Sequence, residues 1–198
     1  MVLDTYLTKW DQIPAAVKQF LLKGVILLIA WKVVYLFFLS PTGFLDKPLT
    51  ITVCTQTVKS LNWVTNSGNY SSKSEVIDRV VDAKSTRIYQ EAIYFRQRKV
   101  VTIEDACNGL ELFVLYAGFI ICLPALLSRK LIFIIAGILI IHLVNLFRCA
   151  GITYITLYYL PHADFAHHYV FFIIVYACII ALWLGFSNKL SLKNNVKQ

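Results

Sequence analysis

A run of twenty mostly apolar residues near the N-terminus constrains the fold more than any other feature of the sequence. Residues 20–39, FLLKGVILLIAWKVVYLFFL, contain two lysines and no acidic residue. A helix of this length reaches about 30 Å, the thickness of the hydrocarbon core of a bilayer. The run therefore predicts a transmembrane helix, which we expect Ser40 and Pro41 to close.

Three further apolar runs predict membrane spans at about 109–127, 131–147 and 169–186. The chain is 58% hydrophobic and 15% charged, whereas soluble domains are about half apolar and a quarter charged. The predicted fold class is an all-α integral membrane protein with about four transmembrane helices. Because no internal repeat is visible, residues 1–198 are predicted to form a single polytopic domain.

Residues 42–106 are more polar and are predicted to lie outside the membrane. They include the alternating stretch LTITVCTQTV and the turn-like cluster TNSGNYSS, which favour a segment with some strand character. Basic residues flank the spans at Lys9, Lys18, Lys23, Arg129, Lys130, Lys189, Lys193 and Lys197. They fall in three regions: before or at the start of the first span, between the second and third spans, and after the fourth. The positive-inside rule places these regions in the cytoplasm and residues 42–106 on the opposite face of the cell (inner) membrane.

Other classes of protein fit the sequence poorly. The net charge of +8 comes from Lys and Arg beside apolar runs, without the basic stripe of a nucleic-acid-binding protein. The five cysteines form no C-x-x-C pair, so we expect neither a disulfide framework nor a metal site, and no cofactor. The N-terminus lacks a small-x-small cleavage site, so we expect the first apolar run to be retained.

The predicted topology brings Cys107, Arg148 and the pair His167-His168 to one depth on the non-cytoplasmic face. A nucleophile, a fixed cation and a proton carrier are the groups that acyl transfer through a thioester requires. Cys107 needs an electropositive setting to attack as a thiolate, which the arginine and the start of the second helix can supply. The alternative is that Cys107 is a small buried apolar residue, the interpretation adopted for Cys122 and Cys178.

Roles for the other two groups follow from their chemistry. Arg148 either reaches lipid head groups or holds a substrate carbonyl and its oxyanion. A histidine would transfer the proton, or else cap the helix at the membrane interface. The sequence favours His168 over His167, and His162 is a weaker candidate because it follows a proline.

Several polar residues are predicted to support this site. His142, Asn145, Arg148 and Cys149 fall on one face of the third span, with Asn145 as the better supporting candidate and His142 equally suited to a structural bond. Glu111 and Lys32 lie within apolar runs and are predicted to pair or nearly so. Glu104 and Asp105 could bind an amine or a basic segment, but solvated acids are the favoured interpretation.

Three motifs resemble the exosortase/archaeosortase family: Glu104-Asp105-Ala106-Cys107-Asn108-Gly109-Leu110, Asn145-Leu146-Phe147-Arg148 and His167-His168-Tyr169. The similarity is to short, about four-helix members and covers roughly Val100 to the end. Many longer members have a glycine four residues beyond the histidine, where Phe171 or Phe172 stands here. This departure leaves the alignment of His167 and His168 open.

The resemblance implies a cysteine peptidase and transpeptidase that cleaves a C-terminal sorting signal of secreted proteins through Cys107, Arg148 and a histidine. The new end would pass to an acceptor, for which a glycan or a lipid-linked group is a candidate. The competing hypotheses are a non-catalytic membrane scaffold or assembly factor and a thiol-disulfide oxidoreductase, in which Cys149 would be the resolving cysteine.

Overall fold

Apolar helices form most of the structure, a computed structural model that describes residues 14–81 and 84–195. The helices are α1 Ala15–Val34, α2 Asp46–Val64, α3 Leu110–Cys122, α4 Leu127–Tyr158, α5 Leu160–Phe165 and α6 Phe171–Asn195. A π-helical turn, Tyr35–Leu39, and a short helical turn, Ser40–Thr42, follow α1 directly. This continuous helical segment ends at Gly43, whose φ is 60°. The predicted closure at Ser40 and Pro41 is wrong, because proline is tolerated in the first turn of a helical segment.

Within the residues that the structure describes, three helical segments are long and apolar enough to cross a bilayer: Val17–Thr42, Leu127–Tyr158 and Leu160–Asn188. They confirm the predicted helical membrane fold. The second predicted span, 109–127, contains a shorter helix. Helix α3 has 13 residues, about 20 Å at 1.5 Å per residue, and it ends before Pro124, which disfavours helix at the residue preceding it.

Helix α4 is longer than the predicted third span. Its 32 residues extend about 48 Å, well beyond the roughly 30 Å of a hydrocarbon core. The third predicted span ended at Phe147. Instead the helix continues to Tyr158, and Cys149 and Leu157 pack into a cluster with Val53 and Ile93 outside the bundle of spans.

A three-stranded antiparallel sheet follows α2, in the order β1-β2-β3. The strands are β1 Tyr70–Val81, β2 Lys84–Phe95 and β3 Arg98–Ile103. Tyr70 pairs with Phe95 and Val81 with Lys84, whereas β3 pairs with β2 from Arg98 to Ile103 with an irregularity at Ile93/Tyr94. The sheet confirms that residues 42–106 have some strand character.

The stretch LTITVCTQTV is helical, so the prediction of a strand there is wrong. Its β-branched residues favour strands, but burial follows a helical period in α2. The buried positions are Asp46, Thr50, Val53, Cys54, Thr57, Val58 and Leu61. This spacing forms one face of a helix, and packing of that face against the sheet and α4 overrides local propensity.

Helices α3, α4 and α6 enclose the second apolar cluster, made by Tyr116, Ile120, Ile141, Val175, Ile179 and Phe186. Two basic residues in the first turn of α4 lie at one end of the bundle. Arg129 Nη2 donates to the carbonyl oxygen of Phe186 at 3.0 Å, and Lys130 Nζ donates to that of Ile121 at 2.8 Å. The sheet and Cys107 lie at the other end. Lys9, Lys197 and the side chains of Lys189 and Lys193 lie outside the described part of the chain.

Lys32 and Glu111 form the predicted pair, with Lys32 Nζ 2.8 Å from Glu111 Oε1. The bond joins α1 to α3 within apolar surroundings. We expect Lys32→Met or Glu111→Leu alone to lower the free energy of unfolding in lipid nanodiscs by about 2–3 kcal/mol, the cost of a lone charge in a membrane. The double substitution should recover most of this loss. Additive effects in a double-mutant cycle would contradict a direct pair.

Candidate active site

Cys107 lies in a tight turn between the sheet and α3. The chain leaves β3 at Ile103, forms a 3₁₀ turn over Asp105–Cys107 and enters α3 after Gly109. Gly109 has a φ of 90°, and a Cβ there would lie 3.3 Å from Asn145 Nδ2. Both the left-handed backbone and the close approach favour glycine. The turn holds the Cys107 side chain half-buried at the end of the bundle next to the sheet.

Two residues of α4 contact this turn. Arg148 Nη2 lies 3.8 Å from Cys107 Sγ, and Asn145 Nδ2 donates to the Cys107 carbonyl oxygen at 3.0 Å. Asn145 is fully buried. Because the two residues are three positions apart, one face of α4 holds both the backbone and the sulfur of Cys107.

His167 borders the same small cavity as Cys107 and Arg148. The cavity has a volume of about 50 Å³, and its remaining lining residues are Val101, Thr102, Ile103, Cys149 and Ile152. His167 lies in the π-helical turn Ala166–Val170, just before α6. The structure therefore brings Cys107, Arg148 and His167 to one place.

His168 is directed elsewhere, contrary to the preference drawn from the sequence. Its side chain is 62% exposed, and Nδ1 lies 3.1 Å from Asp164 Oδ1. Adjacent residues of a helix do not share a face, so only one histidine of the pair can border the cavity. His162 is exposed on α5.

A larger cleft of about 330 Å³ leads from Arg148 and His167 into the bundle. Its walls come from three helices: Leu28, Trp31 and Lys32 of α1, Glu111, Leu112, Val114 and Leu115 of α3, and Phe171, Phe172, Val175 and Tyr176 of α6. Apart from Arg148 and His167 at its mouth, the Lys32–Glu111 pair is the charged part of the mostly apolar walls. An apolar groove of about 220 Å³ continues between α1 and α3 past Leu28 to Phe20.

His142 does not face Cys107 directly. Its Nε2 lies 2.7 Å from Gln56 Oε1, which ties α4 to α2. Of the polar face predicted on the third span, Asn145 and Arg148 contact the Cys107 turn, while His142 makes a helix-to-helix bond.

A polar network below the Cys107 turn was not predicted from the sequence. Asn108 Nδ2 donates to Asp46 Oδ1 at 2.9 Å, and the Tyr35 hydroxyl donates to Asp46 Oδ2 at 3.1 Å. Asp46 and Asn108 are both buried. Thr50 Oγ1 donates to Asp105 Oδ1 at 2.7 Å. The helical period of α2, with Asp46 and Thr50 on its apolar face, was the signal that could have revealed it.

Asp105 is partly buried in this network, which differs from the solvated acid favoured by the sequence. Burial raises the pKa of its carboxyl above the ordinary value of 3.8. Between pH 3.8 and the folded pKa, the folded protein therefore keeps a proton that the unfolded chain has lost. The contribution of this carboxyl to the free energy of unfolding is complete below pH 3.8 and falls as the pH rises through the folded pKa.

We expect Asp105→Asn to flatten this fall in melting temperature across the acid range, because asparagine does not titrate. The matched control is Asp164→Asn, whose side chain is 90% exposed and which should keep the wild-type slope. An Asp105→Asn slope equal to that of wild type would show that the carboxyl is not held protonated.

Three of the other four cysteines are buried. Cys54 is fully buried, and burial raises the pKa of its thiol to about 12. Cys149 is 5% exposed, beside Arg148 along α4. Cys122 is buried at the far end of α3. Cys178 is half-buried, as Cys107 is, but it lies within α6 and does not border the small cavity. Of the two thiols that border this cavity, Cys107 is the more accessible.

A family model described as transmembrane exosortase (Exosortase_EpsH) matches residues 16–184. The match includes α1, α2 and the sheet as well as the three motifs, so it covers far more of the chain than the motif resemblance from Val100 onward. No curated protein sequence and no solved structure matches the chain.

Proposed function

The chain belongs to the transmembrane exosortase family, and from this premise we propose that it is a membrane-embedded cysteine transpeptidase. Its substrates are secreted proteins with a C-terminal sorting signal. It cleaves that signal through a thioester on Cys107 and transfers the new C-terminus to an acceptor. The observation that carries the proposal is the 3.8 Å contact between Arg148 Nη2 and Cys107 Sγ at a cavity that His167 also borders.

Each group has a defined part in the proposed reaction. His167 takes the proton of the Cys107 thiol, and the sulfur attacks the carbonyl carbon of the scissile peptide bond. The guanidinium of Arg148 stabilises the charge of the sulfur and then of the oxyanion. The carbon–nitrogen bond breaks, and the leaving amine receives the proton from His167. A thioester then joins the substrate to Cys107.

The second half of the reaction returns the enzyme to its first state. An acceptor amine, hydroxyl or water molecule attacks the thioester carbon and gives its proton to His167. The carbon–sulfur bond breaks, and His167 returns this proton to the Cys107 sulfur. Asn145 acts as a positioning residue by holding the Cys107 carbonyl oxygen at 3.0 Å. A glycan or a lipid-linked group is the proposed class of acceptor.

The position of the site suits a substrate anchored in the bilayer. The cleft descends from Arg148 and His167 between α1, α3 and α6, and its walls are largely apolar. Arg129 and Lys130 lie at the opposite end of the bundle, which supports a cytoplasmic location for that end. The site would then face the non-cytoplasmic side of the cell membrane.

The first test is co-expression of the protein with a secreted reporter that ends in a sorting motif, an apolar span and a basic tail. Cleavage on the non-cytoplasmic side is the expected result, read as a loss of mass of the reporter that corresponds to the tail. An additional mass on the new C-terminus would identify transfer, whereas its absence would identify hydrolysis. If the fully expressed protein leaves a panel of reporters with family-type sorting signals uncut, the result would instead favour a non-catalytic scaffold.

Arg148→Lys should lower the cleavage rate by about 10²–10³-fold, the usual loss when an oxyanion donor is removed. Lysine keeps the charge but loses the planar donor fork. The matched control is Arg129→Lys at the other end of the bundle, which should cleave at nearly the wild-type rate at equal membrane level. Equal rates for Arg148→Lys and wild type would exclude an oxyanion role for the fork.

A further inference from the structure

Strand β3 forms an edge of the sheet directly beside the site. Within the part of the chain that the structure describes, β3 pairs with β2 alone. Three consecutive residues of β3, Val101, Thr102 and Ile103, border the cavity of Cys107 and Arg148. Because side chains alternate along a strand, three in succession indicate that the edge of the strand, rather than one face, borders the cavity.

An edge strand presents backbone N–H and C=O groups that a second extended chain can bind. Proteins often bind peptides by adding them as a further strand to such an edge, where backbone bonds hold the peptide and side-chain pockets select it. One face of the sheet is covered, since Ile93 and Ile103 pack with Val53 of α2. The edge of β3 borders the cavity of Cys107, so it is the part of the strand that an extended ligand beside Cys107 would meet.

We propose that the substrate segment on the N-terminal side of the scissile bond binds as an added strand along β3, an inference that rests on the proposed function. Cys107 follows Ile103, the last residue of this strand, by four positions, so the strand leads directly to the nucleophile. A peptide on the edge thus delivers its carbonyl to Cys107 Sγ and Arg148. Backbone recognition at this point accommodates differing side chains in secreted substrates.

The direction of the added strand follows from the positions of the two substrate parts. We assign the apolar part after the scissile bond to the cleft between α1, α3 and α6, whose walls are largely apolar, so the part before it lies outside, along the sheet. It approaches Cys107 in the same direction as β3, which runs from Arg98 to Ile103. The pairing is therefore parallel, with backbone bonds made by alternate residues of the peptide.

Photocrosslinking tests the location of the peptide. A photoreactive amino acid replaces Thr102 in the Cys107→Ser protein, which is expressed with the reporter substrate. The expected product links position 102 to the substrate residues before the scissile bond. The matched control places the same amino acid at Ser72, an exposed residue of β1 at the opposite edge of the sheet, where no substrate crosslink is expected.

A proline scan of the reporter tests the backbone bonds. Proline lacks the N–H group, so we expect cleavage to fall about two- to tenfold at alternate positions before the scissile bond, the effect of one lost hydrogen bond each. Losses that do not alternate would overturn strand addition. So would equal crosslinking from positions 72 and 102, or capture of lipid alone at position 102.

The outcomes separate this inference from the proposed function. A reporter cut by the wild-type protein but not crosslinked at position 102 refutes the β3 edge and leaves the transpeptidase intact. A reporter that the Cys107→Ser protein cuts as well as wild type refutes the proposed chemistry itself, wherever the peptide binds.

Discussion

Cys107→Ala and Cys107→Ser are expected to abolish cleavage of the reporter, with a loss of more than about 10⁴-fold, as when other enzymes lose their nucleophile. Alanine removes the attacking atom. Serine keeps a similar shape, but its hydroxyl is far less ionised than a thiol and attacks poorly without a base tuned to it. The readout is the fraction of reporter cleaved at matched levels of folded protein in the membrane.

Cys149→Ala is the matched control for this prediction. Cys149 borders the same small cavity but is 5% exposed and packs below the sheet. Its loss should leave cleavage within a few-fold of wild type, with a modest loss of stability from the small cavity. Loss of activity in both Cys107→Ala and Cys149→Ala would favour the thiol-disulfide alternative, in which both sulfurs react.

His167→Ala should lower the rate of cleavage by about 10²–10⁴-fold, the usual contribution of a general acid–base group. His167 borders the cavity with Cys107 and Arg148, so its imidazole is the group placed to move protons between the thiol, the leaving amine and the acceptor. The measurement is the single-turnover rate across pH, because loss of the proton carrier changes the pH profile as well as the rate.

His168→Ala provides an adjacent control on the same turn. His168 is mostly exposed and lies beside Asp164, so its replacement should change the rate by no more than a few-fold. The opposite result, with activity lost in His168→Ala and kept in His167→Ala, would restore the preference drawn from the sequence and would require the turn to rotate during the reaction.

Hydropathy and charge alone predicted much of the fold. The membrane class, the helical character and the pairing of Lys32 with Glu111 all follow from the cost of placing polar groups in lipid. The convergence of Cys107 and Arg148 followed from topology, because segments that reach the same face of a membrane end at a similar depth. The family match agrees with the resemblance of the three motifs.

The parts that the sequence missed depend on tertiary contacts. Strand propensity suggested a strand at Leu49–Val58, but the apolar face of α2 packs against the sheet. The end of α4 was misplaced because its last turns lie outside the bundle and pack on the same cluster. The preference for His168 failed to match the structure because no local rule fixes which of two adjacent residues in a helical turn faces inward.

The hydrogen-bond partner of Asn108 also depends on tertiary contacts. The sequence motif could not identify it, because Asp46 is 62 residues away in sequence. In the structure the amide binds Asp46, while the Asn108 side-chain oxygen accepts from the backbone N–H of Leu110 at 2.8 Å. These bonds fix the turn that presents Cys107, which gives the motif a physical basis.

A thioester between the substrate and Cys107 is the intermediate on which the proposed reaction depends, and acid quenching of membranes during cleavage should trap it. Mass spectrometry should find the N-terminal part of the reporter attached to the Cys107 peptide through a bond that hydroxylamine cleaves. The adduct should accumulate when the acceptor is depleted. A reporter fragment attached to another residue, or full cleavage by Cys107→Ala without any adduct, would exclude Cys107 as the nucleophile.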